Sequence, residues 1–114
     1  MRAARYYDRG DIRIENIDEP EVAPGTVGID VAWCGICGTD LHEYADGPIF
    51  IPPAGHPQPI SHESAPVTMG HEMSGVVYGV GEGVDGLSVG DHVVVEPYII
   101  RDDVDTGPDS HDYH

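Results

Sequence analysis

Two stretches of the chain alternate polar and apolar residues with a period of two. The first is Asp11-Ile12-Arg13-Ile14-Glu15-Asn16-Ile17. The second is Thr26 to Trp33, where Val27, Ile29, Val31 and Trp33 share one parity. Successive side chains of a strand point to opposite faces, so this alternation predicts half-buried β-strands. Arg2 to Tyr7, Ser74 to Val80 and Gly90 to Pro97 read as further strands. Gly10 suits a tight turn between the first two. Pro20, Pro24 and Gly25 mark a loop before the third.

The segment between the third and fourth of these strands follows no such period. Thr39 to Tyr44 fits one short helical turn, with Thr39 or Asp40 as its N-cap, because either side chain can accept from freed amides. Gly47 to Pro66 is proline-rich and predicts an irregular loop over the surface, near whatever site the flanking residues build. Residues 1–100 therefore read as one domain, and residues 101–114 as a loose acidic tail. Several short strands joined by Gly/Pro turns predict a mainly β fold, a small barrel or sandwich.

Composition narrows the functional classes. A length of 114 residues suits a single domain, and 15 glycines with 10 prolines fit a turn-rich one. The chain has 21 acidic residues, five arginines and no lysine, for a formal net charge of −16. Such a surface repels nucleic-acid phosphates and anionic membranes, so neither is an expected partner. Self-repulsion on this scale also favours a high-salt environment, where screening relieves it. No apolar run approaches the roughly 18 residues of a membrane span, and the N-terminus lacks the apolar core of a signal peptide. Two cysteines three residues apart are no disulfide framework. The expected location is the cytoplasm.

The chemistry is concentrated in Cys34-Gly35-Ile36-Cys37-Gly38-Thr39-Asp40-Leu41-His42-Glu43 and in Gly70-His71-Glu72. Thiolate, imidazole and carboxylate together form a ligand set that zinc accepts at a catalytic site. The two clusters are expected to meet and hold one zinc ion. A C-x-x-C pair also fits a redox dithiol, half of a four-cysteine zinc site, or two inert thiols. The first needs a helix after a βαβ pattern and the second a second pair, and neither is present. One functional cysteine paired with His71 is favoured. His56, His62 and His92 read as surface or loop residues. Gly81-Glu82-Gly83-Val84-Asp85-Gly86 matches G-x-G-x-x-G, but a strand follows where a dinucleotide site needs a helix N-terminus.

Three segments carry a resemblance: Trp33 to Tyr44, Gly47 to Pro52 and Pro66 to Glu72. Together with Ala3-Ala4-Arg5 and Val89 to Pro97, they resemble the medium-chain zinc-dependent alcohol dehydrogenases, in the branch of the 2,3-butanediol and sorbitol dehydrogenases. The resemblance implies a GroES-like, partly open β-barrel. It implies Cys37 rather than Cys34 as the zinc thiolate, His71 as the imidazole ligand, and Glu72 as a ligand or a carboxylate just behind the ligands. Thr39 would take the substrate proton, His42 would pass it toward solvent, and Asp40 would orient the site through the His71 ring. Zinc would act as a Lewis acid, so that a small alcohol or diol yields a hydride to NAD(P).

Members of that family carry a Rossmann domain after the barrel, and no such segment is found in this sequence. The expectation is therefore a C-terminally truncated piece or a split subunit, completed by a Rossmann-domain partner or a missing C-terminal half. It is expected to be inactive alone, with no nicotinamide site of its own. A non-catalytic acidic β module with a vestigial metal site is the alternative.

Overall fold

The computed structural model of the chain describes residues 1–100 and 111–113. Strands β1 (Arg2–Asp8) and β2 (Asp11–Asn16) form an antiparallel hairpin across the turn at Arg9 and Gly10. The two-residue strand β4 (Val67–Thr68) joins the other edge of β1, giving the order β2-β1-β4. A second sheet has the order β3-β5-β6, with β3 spanning Val27–Gly35, β5 Glu72–Val80 and β6 His92–Val94. Strands β7 (Tyr98–Ile100) and β8 (His111–Tyr113) pair with each other. The fold is mainly β, and the described strands lie in separate sheets without closing a barrel.

Strand β1 fixes much of the rest. Tyr6 is fully buried, and its hydroxyl donates to the carbonyl of Glu43, 3.1 Å away. The backbone of β1 also aligns the segment that leads to His71. Tyr6 and Arg5 pair with Val67 and Thr68, and the Met69 N–H donates to the Ala4 carbonyl. The Arg5 guanidinium adds bonds to Thr68 Oγ1 and the Pro66 carbonyl.

One helix, α1 (Gly38–Asp46), follows β3. It is longer than the single turn expected from Thr39 to Tyr44, and its N-cap is Cys37 rather than Thr39 or Asp40. Asp40 instead sits in the first turn and accepts from the Cys37 N–H at 3.0 Å. That satisfies a donor at the helix start and places negative charge at the positive end of the helix dipole. At the other end, Arg9 from the hairpin turn donates to the carbonyls of Asp46 and Gly47. A cation at the carbonyl end of a helix is the favourable pairing.

Two other expectations need correction. Alternation along β3 is interrupted by register shifts at Gly28/Ile29 and Val31/Trp33, so the four apolar residues do not share one buried face. Trp33 is 80% exposed and Val31 54%. The strand expected over Gly90–Pro97 contracts to His92–Val94. Of the expected tail, residues 111–113 form a strand, while 101–110 and 114 lie outside the described residues. No helix among the described residues is long and apolar enough to cross a membrane.

The hairpin carries a pH-sensitive tyrosine. Tyr7 donates to Glu15 Oε1 at 2.5 Å, beneath the Arg13 guanidinium at 3.8 Å from the ring centroid. The hydrogen bond to Glu15 is the main reason its phenol ionises above the ordinary value. Tyr6 is shifted the same way, chiefly by burial. A raised folded-state pKa contributes stability that is complete below the unfolded value, about 10 for tyrosine, and lost as pH rises through the folded value. Tyr7→Phe should flatten the alkaline fall in stability measured by urea unfolding. An unchanged pH profile would count against the Glu15 bond.

Candidate metal centre

Pairing of β3 with β5 sets the geometry of the site. Cys34 lies opposite Met73, and Gly35 opposite Glu72. The chain leaves β3 at Gly35 and reaches the helix N-cap at Cys37 two residues later. It enters β5 at Glu72, directly after His71. The thiol at the end of one strand and the imidazole at the start of its neighbour are thereby set side by side.

Gly70 makes this entry possible. Its φ is 109°, a conformation that side-chain-bearing residues rarely adopt. A Cβ there would also stand 2.7 Å from Cys34 Sγ.

The structure brings one donor atom each from Cys37, His71 and Glu72 to within 4.8 Å of one another. Cys37 and His71 are half-buried, and Glu72 is exposed. Ligands around tetrahedral zinc, at bond lengths of about 2.0–2.3 Å, stand roughly 3.5 Å apart. Side-chain rotation of about an ångström closes the observed span. Three protein donors of the N, S and O types, with one open coordination position, match a catalytic rather than a four-thiolate structural site. The donor set therefore fits zinc.

His71 has polar neighbours on both ring nitrogens. Asp40 Oδ1 lies 3.5 Å from Nδ1, and Thr39 Oγ1 lies 3.3 Å from Nε2. Asp40 thus reaches both the His71 ring and the Cys37 amide, linking the two ligand-bearing segments. His42 stands one turn beyond Thr39 on α1 and is exposed. Cys34 is exposed, with Sγ 3.7 Å from the Gly35 carbonyl oxygen, and is not in the donor cluster. His56, His62 and His92 are exposed and outside the cluster. Residues 81–86 form a turn after β5 with no helix behind it.

A cavity of about 420 Å³ reaches the cluster at His71 and is also lined by Thr39 and Asp40. Phe50, Ile51 and Pro52 of the proline-rich loop line it as well. Its volume falls in the roughly 300–1,000 Å³ range of small-molecule sites. Glu43 closes the chemistry-rich stretch from Cys34 but has no role assigned from sequence; it also lines the cavity and is only 3% exposed. It reads as an acidic residue on a short helix, and such residues usually face solvent. The one available signal is its place three residues beyond Asp40, on the same helical face.

Comparison with known proteins follows this geometry. The alcohol dehydrogenase GroES-like domain family matches residues 23–112. An (R,R)-butanediol dehydrogenase of Neisseria gonorrhoeae is 78% identical over 114 residues, covering 100% of this chain and 32% of the relative. The crystal structure of 2R,3R-butanediol dehydrogenase from Bacillus subtilis superposes with a TM-score of 0.89 at 51% identity, over 99% of this chain and 33% of that one. A Sinorhizobium meliloti protein described as a zinc-binding dehydrogenase, solved bound to NADP, gives a TM-score of 0.72 at 30% identity, over 91% of this chain and 27% of that one. The chain spans about a third of the length of the gonococcal and Bacillus relatives. With its site geometry and a family match over most of its length, the chain belongs to the alcohol dehydrogenase GroES-like domain family.

Proposed function

We propose that this chain is the zinc-binding catalytic domain of a 2,3-butanediol-type dehydrogenase, which oxidises a secondary alcohol to a ketone and passes a hydride to NAD(P). The observation that carries this reading is the convergence of Cys37, His71 and Glu72, with His71 lining the cavity. The 78% identity to the gonococcal relative supports the diol as substrate. NAD(P) would be held by a Rossmann domain outside these residues, on the same polypeptide or on a partner. A cytoplasmic, high-salt setting is proposed from the thiols and the acid excess.

Cys37 and His71 would hold the zinc, with Glu72 as a third ligand or as a carboxylate beside it. The chemistry that zinc supplies when bound is Lewis acidity, which makes an alcohol proton easier to lose. Thr39 Oγ1, facing both His71 and the cavity, would accept that proton while its own hydroxyl hydrogen passes on along the helix. His42, three residues along the same helix, hands it to solvent. Asp40 fixes the His71 ring by facing Nδ1, which directs the opposite nitrogen toward the metal position.

The test is metal content and diol-dependent NAD(P)H formation in the intact protein that carries this chain. About one zinc per chain and reduction of the nicotinamide by 2,3-butanediol are expected. Asp40→Asn should lower zinc affinity about 10- to 100-fold, the usual effect of losing a partner behind a ligand. Protein purified without metal, and unable to take it up, would favour a non-catalytic module.

A further inference from the structure

Part of the cavity wall is held by a residue that the proposed chemistry does not use. Glu43 lies on α1, the helix that carries Thr39 and Asp40. Its carboxylate is directed away from water and into the turn that follows the helix. Oε2 accepts from the Ile49 N–H at 3.0 Å. Oε1 accepts from the N–H groups of Phe50 and Ile51, the latter at 3.3 Å. These residues belong to no strand or helix, so their amides have no ladder to satisfy them.

The packing around Glu43 is close on the side of Gly47. A Cβ on Gly47 would stand 2.6 Å from the Tyr6 hydroxyl oxygen and 2.7 Å from Glu43 Oε2. The carbonyl of Glu43 accepts from both the Tyr6 hydroxyl and the Gly47 N–H. Side chain and backbone of one residue therefore tie β1, α1 and the loop together. Phe50 and Ile51, whose amides Glu43 holds, line the cavity, and Phe50 remains 55% exposed there.

We propose that Glu43 is a positioning residue for substrate selectivity. It seats Phe50 and Ile51 as the apolar wall that faces the reacting carbon's substituents. This rests on the dehydrogenase reading above. Three charge-assisted bonds to consecutive amides set the distance between that wall and Thr39, because both ends belong to one helix–loop unit. The Glu43 carboxylate bonds the loop amides and is not among the donors of the cluster, so its loss changes how substrate is held more than how it reacts.

The experiment uses the intact protein that carries this chain. Amide hydrogen exchange of the unsubstituted protein comes first. The N–H groups of Ile49, Phe50 and Ile51 should exchange at least about 100-fold slower than free amides, and exchange at free rates would overturn the proposal without any variant having to fold. Glu43→Gln replaces one acceptor oxygen by a donor that faces donors. It should keep its zinc, raise KM for 2,3-butanediol about tenfold and change kcat less than about threefold. In a Phe50→Ala background the same change should raise KM less than about twofold, because the wall it positions is already gone. Equal, independent effects on KM in the two backgrounds, or a fall in kcat with KM unchanged, would overturn it. If the unsubstituted protein lacks zinc or diol oxidation while the three amides are protected, the dehydrogenase reading fails and the clamp remains.

Discussion

Cys37→Ala and His71→Ala should each abolish zinc retention, whereas Cys34→Ala should leave it within about threefold of the parent. The first two remove donors that lie within 4.8 Å of the other donors of the cluster. Loss of a partner behind a ligand already costs about 10- to 100-fold in affinity, and loss of a ligand should exceed that. Cys34 is exposed on β3 opposite Met73, outside the cluster. Metal content after gel filtration and competition against a chromophoric chelator give the affinities. Cobalt substitution adds a signature, since the thiolate-to-metal absorption band should vanish in Cys37→Ala and persist in Cys34→Ala. Equal loss from all three variants would contradict a single-thiolate site.

Gly75→Ala should be strongly destabilising. Gly75 is buried in the middle of β5 and pairs with Val31 on one side and Val93 on the other. A Cβ there would stand 2.7 Å from Ile29 Cγ2 and 2.9 Å from the Asp30 carbonyl carbon, and would overlap the Asp30 oxygen. Backbone cannot swing aside as a side-chain tip can. Overpacking of this kind costs ~1–3 kcal/mol, a large share of the ~5–15 kcal/mol that holds a domain together. The same methyl prises β3 from β5, the pairing that sets Cys37 beside His71, so zinc affinity should fall with stability. Gly38→Ala is the contrast, because nothing lies within 4 Å of its Cβ position at the start of the helix. It should be neutral or stabilising by up to ~1 kcal/mol. Urea unfolding of the two variants checks the pair, and equal midpoints would contradict the close approach.

Strands β2, β3 and β5 are legible in the sequence because six or more residues establish a period or a continuous β-rich run. Strands β4, β7 and β8 have two or three residues each, too few for any period. Their pairing comes from partners elsewhere in the chain. The N-cap differs from the expected one for another reason. Side-chain oxygens favour caps, so Thr39 and Asp40 are the natural choices, yet Asp40 is used from inside the first turn to hold Cys37. The apolar side chains of β3 alternate in sequence as a buried face would, while register shifts and thin packing leave Trp33 and Val31 exposed.

The sequence by itself determined the chemistry of the centre. Thiol, hydroxyl, carboxylate and imidazole stand at short, fixed spacings, and donor identity is a property of residues rather than of packing. It also determined the acidic surface and the β-rich class. Only the tertiary structure decided which donors meet, because that depends on the register of β3 against β5 across a gap of more than thirty residues. It alone made Glu43 the anchor of the cavity wall. Burial of a carboxylate is tolerable only where several N–H donors converge on it, and in this chain those donors come from a loop whose path no local pattern predicts.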